Sequence, residues 1–101
     1  MGNRFPARGQ IFLVDTIPCV ILSNDAANQV SSRVIMAPVA SNVTQVFRFE
    51  VPIEINGTPG KILLDQIRTI DKVRLGNKIG ECNDDTMDAI EDALKIVLAL
   101  N

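Results

Sequence analysis

The stretch of residues 47–57 constrains the fold of this chain more than any other. Over residues 47–55 apolar side chains alternate with polar ones, so one face of an extended strand is apolar and the other polar. Asn56-Gly57 follows directly, and this pair favours a tight β-hairpin because both central residues of such a turn need a positive φ. Thr58-Pro59-Gly60 lengthens the predicted turn, and residues 61–65 form the returning strand. The segment therefore predicts an antiparallel hairpin.

Short β-rich runs surround this hairpin. They cover residues 10–15, 18–23 and 33–40, with a polar loop predicted over residues 24–32 and a strand edge or bulge at Pro38. Residues 66–71 can form one more short strand, and residues 72–76 a helical turn ended by Gly76. About six short strands joined by tight turns predict a compact barrel or sandwich.

The last segment has the pattern of an α-helix. Asn83 is a suitable N-cap, and Asp84 and Asp85 complement the positive end of the helix dipole. Apolar residues then follow helical spacing at Met87, Ile90, Leu94 and Val97. Residues 96–100 are apolar all round, so we expect this end of the helix to be buried by the barrel or by a second copy of the chain.

Composition limits the chemistry. The chain has 101 residues, no histidine and two cysteines, which rules out a Ser-His or Cys-His pair and a four-ligand zinc site. Cys19 lies in an apolar run and is predicted to be a small buried hydrophobic residue; with Cys82 it could form at most one disulfide. No apolar run approaches the roughly 18 residues that span a bilayer. We expect one cytoplasmic domain over residues 1–101, without cofactor, metal or membrane contact, its barrel strands over about 8–80 and its helix over about 84–100.

Charge is distributed unevenly. The net charge is −2, yet six of the twelve acids lie within residues 81–92, so residues 1–80 carry nine bases against six acids. The expected basic patch is formed by the four cations that fall within eleven residues, Arg68, Lys72, Arg74 and Lys78. Such a patch fits either a phosphate site or a solvated surface cluster.

Three stretches of the chain carry a pattern that can be compared with known families: RGQIFLVD at residues 8–15, PCVILSND at 18–25 and LLDQIRTIDKVRLGNKIG at 63–80. Together with residues 37–42, 49–53 and the closing helix, which also fit, they resemble the MazF/PemK/Kid family of toxin endoribonucleases. The resemblance implies a mainly β fold with a C-terminal α-helix, an SH3-like barrel of the MazF/PemK/CcdB toxin type. It also implies a homodimer that inhibits growth and is held in check by a cognate antitoxin.

Toxins of this family cleave single-stranded RNA, often mRNA, at short specific sequences without a metal. The 2′-hydroxyl of the RNA attacks the phosphate and leaves a 2′,3′-cyclic phosphate and a 5′-hydroxyl, which requires a base, a cation and an acid but no histidine. The resemblance makes Asp65 the candidate base, because it matches an aspartate that has this role in Kid-like members. Arg68 is the candidate cation for the scissile phosphate, and Ser41 is the candidate substitute for a catalytic threonine of the family. The candidate RNA-binding residues are Asn42, Gln66, Thr69, Thr16 and Pro18.

Each catalytic candidate also has a structural interpretation. Asp65 and Arg68 could form an ion pair with each other, or Arg68 could hold Asp71, and Ser41 could be a turn hydroxyl. Arg48 is expected to be solvated. Because the chain has four phenylalanines and neither tryptophan nor tyrosine, aromatic surfaces for base stacking are scarce, and we expect polar groups to read the bases.

The chain departs from the family pattern at three positions. Residues 15–18 join the first two strands directly, where the family has a longer glycine-containing loop followed by an arginine; Ile17 occupies the position of that arginine. Ala40 aligns with a family threonine, and Leu63 with an arginine of Kid-like members. The alternative function is therefore a non-catalytic or catalytically crippled member that acts as a protein-binding module, with either its antitoxin or a gyrase-type target as partner.

Overall fold

Seven strands and two α-helices follow one another along residues 5–100, the part of the chain that the computed structural model describes. The strands are β1 (Gln10–Val14), β2 (Ile17–Ile21), β3 (Arg33–Ala40), β4 (Glu50–Ile55), β5 (Thr58–Leu63), β6 (Arg68–Asp71) and β7 (Lys78–Glu81). The helices are α1 (Asp25–Val30) and α2 (Asp84–Val97), and two short 3-10 turns cover Leu64–Gln66 and Lys72–Arg74.

All strand pairs are antiparallel, and the central strand β3 makes the sheet curl. One edge of β3 pairs with β2, whereas its other edge is shared between β6, beside residues 33–36, and β5, beside residues 39–40. The strand order is β4-β5-β3-β2-β1-β7, with β6 branching from β3. The sheet therefore bends into a half-barrel closed by α2, which confirms the predicted mainly β fold with a C-terminal helix.

The sheet carries a hydrophobic core on each face. The inner core faces α2, where Ile90 and Ala93 of the helix pack on Val20, Ala37 and Ile62 of the sheet. The outer core lies on the opposite face and contains Val14, Cys19, Ile21, Val34, Met36 and Ile70. It is covered by the segment that follows β6 and leads to β7. This segment runs beside β1, where the Gly76 amide donates to the Leu13 carbonyl at 2.7 Å. Alternate residues of β2 and β3 thus point into different cores.

Two predicted boundaries were wrong for local reasons. Residues 24–32 are not a loop: Asn24 caps α1 by accepting from the Ala27 amide at 2.8 Å, and the buried Asn28 side chain bonds Ser23. Strand β4 starts at Glu50 instead of residue 47, because the Glu50 amide donates to the Phe47 carbonyl at 3.0 Å and closes a turn. Apolar and polar residues keep alternating through that turn, so the sequence pattern alone predicts that the strand begins three residues too early.

The β4–β5 hairpin is tighter than predicted. Ile55 pairs with Thr58, so only Asn56 and Gly57 form the turn, with φ of 50° and 82°. Thr58-Pro59-Gly60 belongs to the returning strand and not to the turn. The positive φ at both positions is the reason that Asn-Gly occurs here.

Helix α2 begins where the sequence predicted. The Asn83 side chain accepts from the Thr86 amide at 2.8 Å, and Asp84 and Asp85 lie in the first turn. Cys19 is buried as expected, and both cysteines are free thiols. Neither helix of the described part is long and apolar enough to cross a membrane.

Candidate functional site

The candidate site is built around the β1–β2 connection. Val14 pairs with Ile17, so a two-residue turn of Asp15 and Thr16 joins the strands. Asp15 adopts a left-handed φ of 58°, a conformation that aspartate tolerates better than most residues. The predicted direct connection is therefore present, centred on Asp15-Thr16. Ile17 starts β2 with its side chain half-exposed.

A cavity of about 120 Å³ opens on the outer face beside this turn, and we call it the outer cavity. Its floor is apolar and continues the outer core. Arg68, at the start of β6, and Arg74, from the following 3-10 turn, contribute two guanidinium groups. The remaining lining residues are Val14, Asp15, Ile17, Cys19, Met36, Pro38 and Ile70.

The electrostatics of the floor show that both arginines act on the same space. Burial raises the pKa of the Cys19 thiol to about 11, and the charges of Arg68 and Arg74 each oppose that rise. Arg74 Nη2 lies 3.9 Å from Asp15 Oδ2 at the exposed rim. Arg68 forms no ion pair within residues 5–100. An anion that enters the outer cavity would therefore meet the Arg68 guanidinium, which has no ion-pair partner within residues 5–100, and the Arg74 guanidinium, which is paired with Asp15.

The structural interpretation of Arg68 is wrong for both proposed partners. Within residues 5–100, Asp65 forms no ion pair either, and Asp71 pairs with Arg33 at 3.3 Å. Asp65 lies exposed in the 3-10 turn, three residues before Arg68. The predicted basic patch is also divided, since Lys78 pairs with Glu81 and does not line the outer cavity.

A second cavity, of about 320 Å³, lies on the inner side of the same end of the sheet, and we call it the inner cavity. It contains two of the sequence candidates, Pro18 and Ser41, together with Ala40. Its other walls are mostly apolar and come from Val39, Ile55, Asn56, Thr58, Pro59, Gly60 and Ile79. Ile17 and Pro18 therefore open onto different cavities although they are neighbours in the chain.

The sheet separates the predicted catalytic residues. Arg68 pairs with Met36, and Ser41 lies five residues after Met36, just beyond the end of β3, which is roughly 16 Å at 3.3 Å per residue. Asp65 lies in the 3-10 turn between β5 and β6 and lines neither cavity. The catalytic role of each stays a prediction, but the three do not meet at one point.

The predicted RNA-binding residues are also spread along this surface. Gln66 and Thr16 are exposed, and Thr69 lines a shallow cleft of about 270 Å³ with Arg33, Asp71 and Arg74. Asn42 Oδ1 accepts from the amide and the hydroxyl of Thr44, at 3.1 and 2.8 Å. The Asn42 amide group therefore shapes its own loop and has only its Nδ2 donors left for a ligand.

Sequence reasoning missed the contacts that hold the loop of residues 41–49. Lys61 Nζ lies 3.0 Å from Glu50 Oε1 and donates to the Gln45 carbonyl at 2.7 Å. Glu50 Oε1 in turn accepts from the Phe47 amide at 2.9 Å. No sequence signal marks this cluster, because its members come from two strands and a loop. No group of three potential metal-ligating side chains converges in the described residues.

Three kinds of comparison place the chain among known proteins. A family profile described as "PemK-like, MazF-like toxin of type II toxin-antitoxin system" matches residues 7–98. Endoribonuclease EndoA of Bacillus subtilis is 34% identical over 110 aligned positions, covering 92% of this chain and 94% of that protein.

Solved structures agree in fold. An endoribonuclease from a mycobacterial species, in complex with its cognate antitoxin, superposes with a TM-score of 0.87 at 29% identity over 95% of this chain and 97% of that one. The MazE–MazF complex of Deinococcus radiodurans (Form-III) gives a TM-score of 0.83 at 25% identity, covering 96% and 99% of the two chains. Both likenesses extend over nearly the whole chain.

Proposed function

This chain belongs to the PemK-like, MazF-like toxin family of type II toxin–antitoxin systems, and on that basis we propose that it is an endoribonuclease toxin. Its substrate is single-stranded RNA, cut at short specific sequences. The observation that carries the proposal within this chain is the outer cavity, where the unpaired Arg68 and the neighbouring Arg74 face one small space beside the β1–β2 turn.

The chemistry that fits these residues is attack by the 2′-hydroxyl of the RNA on the adjacent phosphate. Asp65 accepts the proton of the 2′-hydroxyl, and Arg68 stabilises the negative charge that develops on the phosphorane oxygens. As the new bond from the 2′-oxygen to phosphorus forms, the bond from phosphorus to the 5′-oxygen breaks, and the leaving 5′-oxygen takes a proton from solvent. The products are a 2′,3′-cyclic phosphate and a 5′-hydroxyl, and the reaction proceeds without a metal. Ser41, Asn42 and Pro18 then contact nucleotides further along the strand, and Thr16, Gln66 and Thr69 lie along the same path.

The test is cleavage of a mixed-sequence single-stranded RNA in the presence of a metal chelator. Wild-type protein should release fragments with 2′,3′-cyclic phosphate ends, and Arg68→Ala should lower the cleavage rate by about 100- to 1000-fold. Binding of a 2′-O-methyl RNA by Arg68→Ala should also lose about 0.7 from the slope of log K against log salt. Lys95→Ala, which removes an exposed charge from α2, is the matched control and should behave as wild type.

An unchanged rate and salt slope in Arg68→Ala would remove this residue from the site. Complete absence of cleavage by purified wild type would favour the alternative, a family member that only binds protein. That alternative is not favoured by the relatives, which are themselves endoribonucleases.

We further propose that the chain works as a cytoplasmic homodimer whose growth-inhibiting activity is blocked by a cognate antitoxin. An acidic antitoxin segment laid over the basic barrel face would cover the outer cavity and exclude RNA. The nine bases against six acids of residues 1–80 support such a contact. Association that does not weaken with salt would contradict its electrostatic part.

A further inference from the structure

The loop between β3 and β4, residues 41–49, exposes apolar side chains to solvent. Val43, Val46 and Phe47 retain 38%, 42% and 46% of their accessible surface. Phe47 is the one phenylalanine among the exposed large apolar residues of the described part, since Phe12 packs against the outer core. Val43 and Val46 line one shallow cavity with residues of β4 and β5, and Phe47 follows directly in the chain, so this loop presents an apolar surface on which a partner can bind.

The Phe47 ring is held in a fixed orientation. It stacks on Phe49 with the ring centroids 5.5 Å apart and the planes 10° from parallel. The Phe47 amide donates to Glu50 Oε1. Lys61 Nζ, which is anchored on Glu50 and on the Gln45 carbonyl, lies over the ring at 5.9 Å from its centroid, and the ring keeps nearly half of its surface exposed beside these contacts. A ring that is already ordered loses little conformational entropy when a ligand stacks on it.

The charge beside the ring indicates what the ligand is. Arg48 is the only charged residue of the loop, is exposed, and forms no ion pair within residues 5–100. Lys61 is only 12% exposed and is neutralised by Glu50, so it supports the ring and does not attract a ligand. A flat apolar surface next to one free guanidinium matches a nucleotide, which has an aromatic face and a phosphate.

We propose that Phe47 is a stacking platform for one unpaired base of the RNA substrate, with Arg48 on the neighbouring phosphate. This inference rests on the proposed function and deepens it, because it adds a base-binding position on the loop that carries Ser41 and Asn42. Aromatic stacking accepts any base, so the platform sets affinity and the path of the strand, while polar groups elsewhere supply sequence preference.

The absence of tryptophan and tyrosine from the chain allows a direct test. Phe47→Trp introduces the only indole, and a stacked base should quench its fluorescence. The probe is a single-stranded 2′-O-methyl RNA of about 12 nucleotides and mixed sequence, which the proposed chemistry cannot cleave. Val30→Trp, at a position on α1 that is 85% exposed and distant in sequence from the loop, is the control and should show no quenching.

A second variant separates stacking from simple apolar contact. Phe47→Leu keeps apolar bulk on Phe49 but has no aromatic face, so it should bind the same RNA about 5- to 100-fold more weakly than wild type, whereas Phe47→Trp should bind at least as well as wild type. Equal thermal midpoints of Phe47→Leu and wild type would show that the loop is intact.

Three outcomes would overturn the proposal. The first is wild-type affinity in Phe47→Leu, and the second is indole emission from Phe47→Trp that does not change on RNA binding. The third is that Phe47→Leu binds the antitoxin more weakly than wild type but binds RNA with unchanged affinity, which would assign the Phe47 ring to a protein partner. In each of these the wild-type chain still binds and cuts RNA, so the proposed function survives; loss of all RNA binding by wild type would overturn both.

Discussion

At the scale of single residues, the Glu50–Lys61 pair is the most consequential contact outside the cavities. Both side chains are nearly buried, at 8% and 12% exposure. Burial raises the pKa of the Glu50 carboxyl, but hydrogen bonds from the Phe47 amide and from Lys61, together with the Lys61 charge, outweigh burial and leave the pKa below its usual value. The charged pair therefore ties the loop of residues 41–49 to β4 and β5.

Removing one member of this pair should be costly. Lys61→Met leaves the Glu50 carboxylate with the Phe47 amide as its remaining partner and without a cation, and should lower the free energy of unfolding by about 1–3 kcal/mol, measured by urea denaturation at pH 7. Glu50→Gln/Lys61→Met, in which no charge is buried, should recover part of the lost free energy of unfolding. A loss in Lys61→Met below about 1 kcal/mol would mean that the pair is effectively solvated.

The stability of the folded chain should also depend on pH through Glu50. Because folding lowers the pKa of Glu50, its contribution to the free energy of unfolding is fully present above the unfolded-state pKa of 4.5 and is lost as the pH falls below that value.

At the scale of elements, two of the three places where the chain departs from the family pattern, Ile17 and Ala40, lie on the neighbouring strands β2 and β3. Ile17 begins β2 at the edge of the outer cavity, and Ala40 ends β3 at the inner cavity. Both are partly accessible, and neither position is closed to a larger polar side chain by complete burial. These two departures therefore change the side chains at Ile17 and Ala40 and leave the strands that carry them in place.

Restoring the family residues should increase activity. Ile17→Arg places a guanidinium beside Arg68, and Ala40→Thr adds a hydroxyl; each preorganised group of this kind contributes about 100- to 1000-fold in kcat. We expect Ile17→Arg/Ala40→Thr to cut single-stranded RNA at least about 100-fold faster than wild type, with cyclic phosphate ends. The charge-matched control is Val30→Arg on α1. A double variant no faster than wild type would show that the missing loop, and not these side chains, limits the rate.

Sequence predicted the elements well and the site only in part, and the reason is physical. Helix caps and tight turns depend on a few residues that are adjacent in the chain. Asn83 therefore predicts the start of α2 correctly, and Asn56-Gly57 predicts the β4–β5 hairpin. The site depends on which strand face each side chain occupies and on strand register. Adjacent residues such as Ile17 and Pro18 open onto different cavities, and Ser41 is separated from Arg68 by five residues of β3. Neither fact can be read from spacing along the chain.

At the scale of the whole molecule, the end of α2 and the residues after it expose apolar side chains. Ile96, Leu98 and Leu100 are 46%, 48% and 58% exposed. The sequence predicted that these residues are buried either by the barrel or by a second copy of the chain, and the barrel does not bury them. The remaining alternative is a second copy of the chain, which agrees with the proposed homodimer.

A single charge on that surface should separate the dimer. Leu98→Glu should shift the molar mass measured by light scattering from twice 11.0 kDa toward 11.0 kDa at micromolar concentration, with its circular dichroism unchanged. Val73→Glu, at a strongly exposed apolar position on the segment after β6, is the control. If wild type is already monomeric at these concentrations, the homodimer proposal fails.

The pairing of β1 with β7 has a consequence for synthesis of the protein. Gln10 lies opposite Glu81, about 70 residues later in the chain, and α2 with the buried Ile90 comes later still. Contacts between such distant segments form slowly and late, and here they must wait until the C-terminal quarter has left the ribosome. A nascent chain therefore lacks the partner strand of β1 and the helix that closes the inner core until synthesis is nearly complete, so we expect the sheet to reach its final packing only at the end of synthesis.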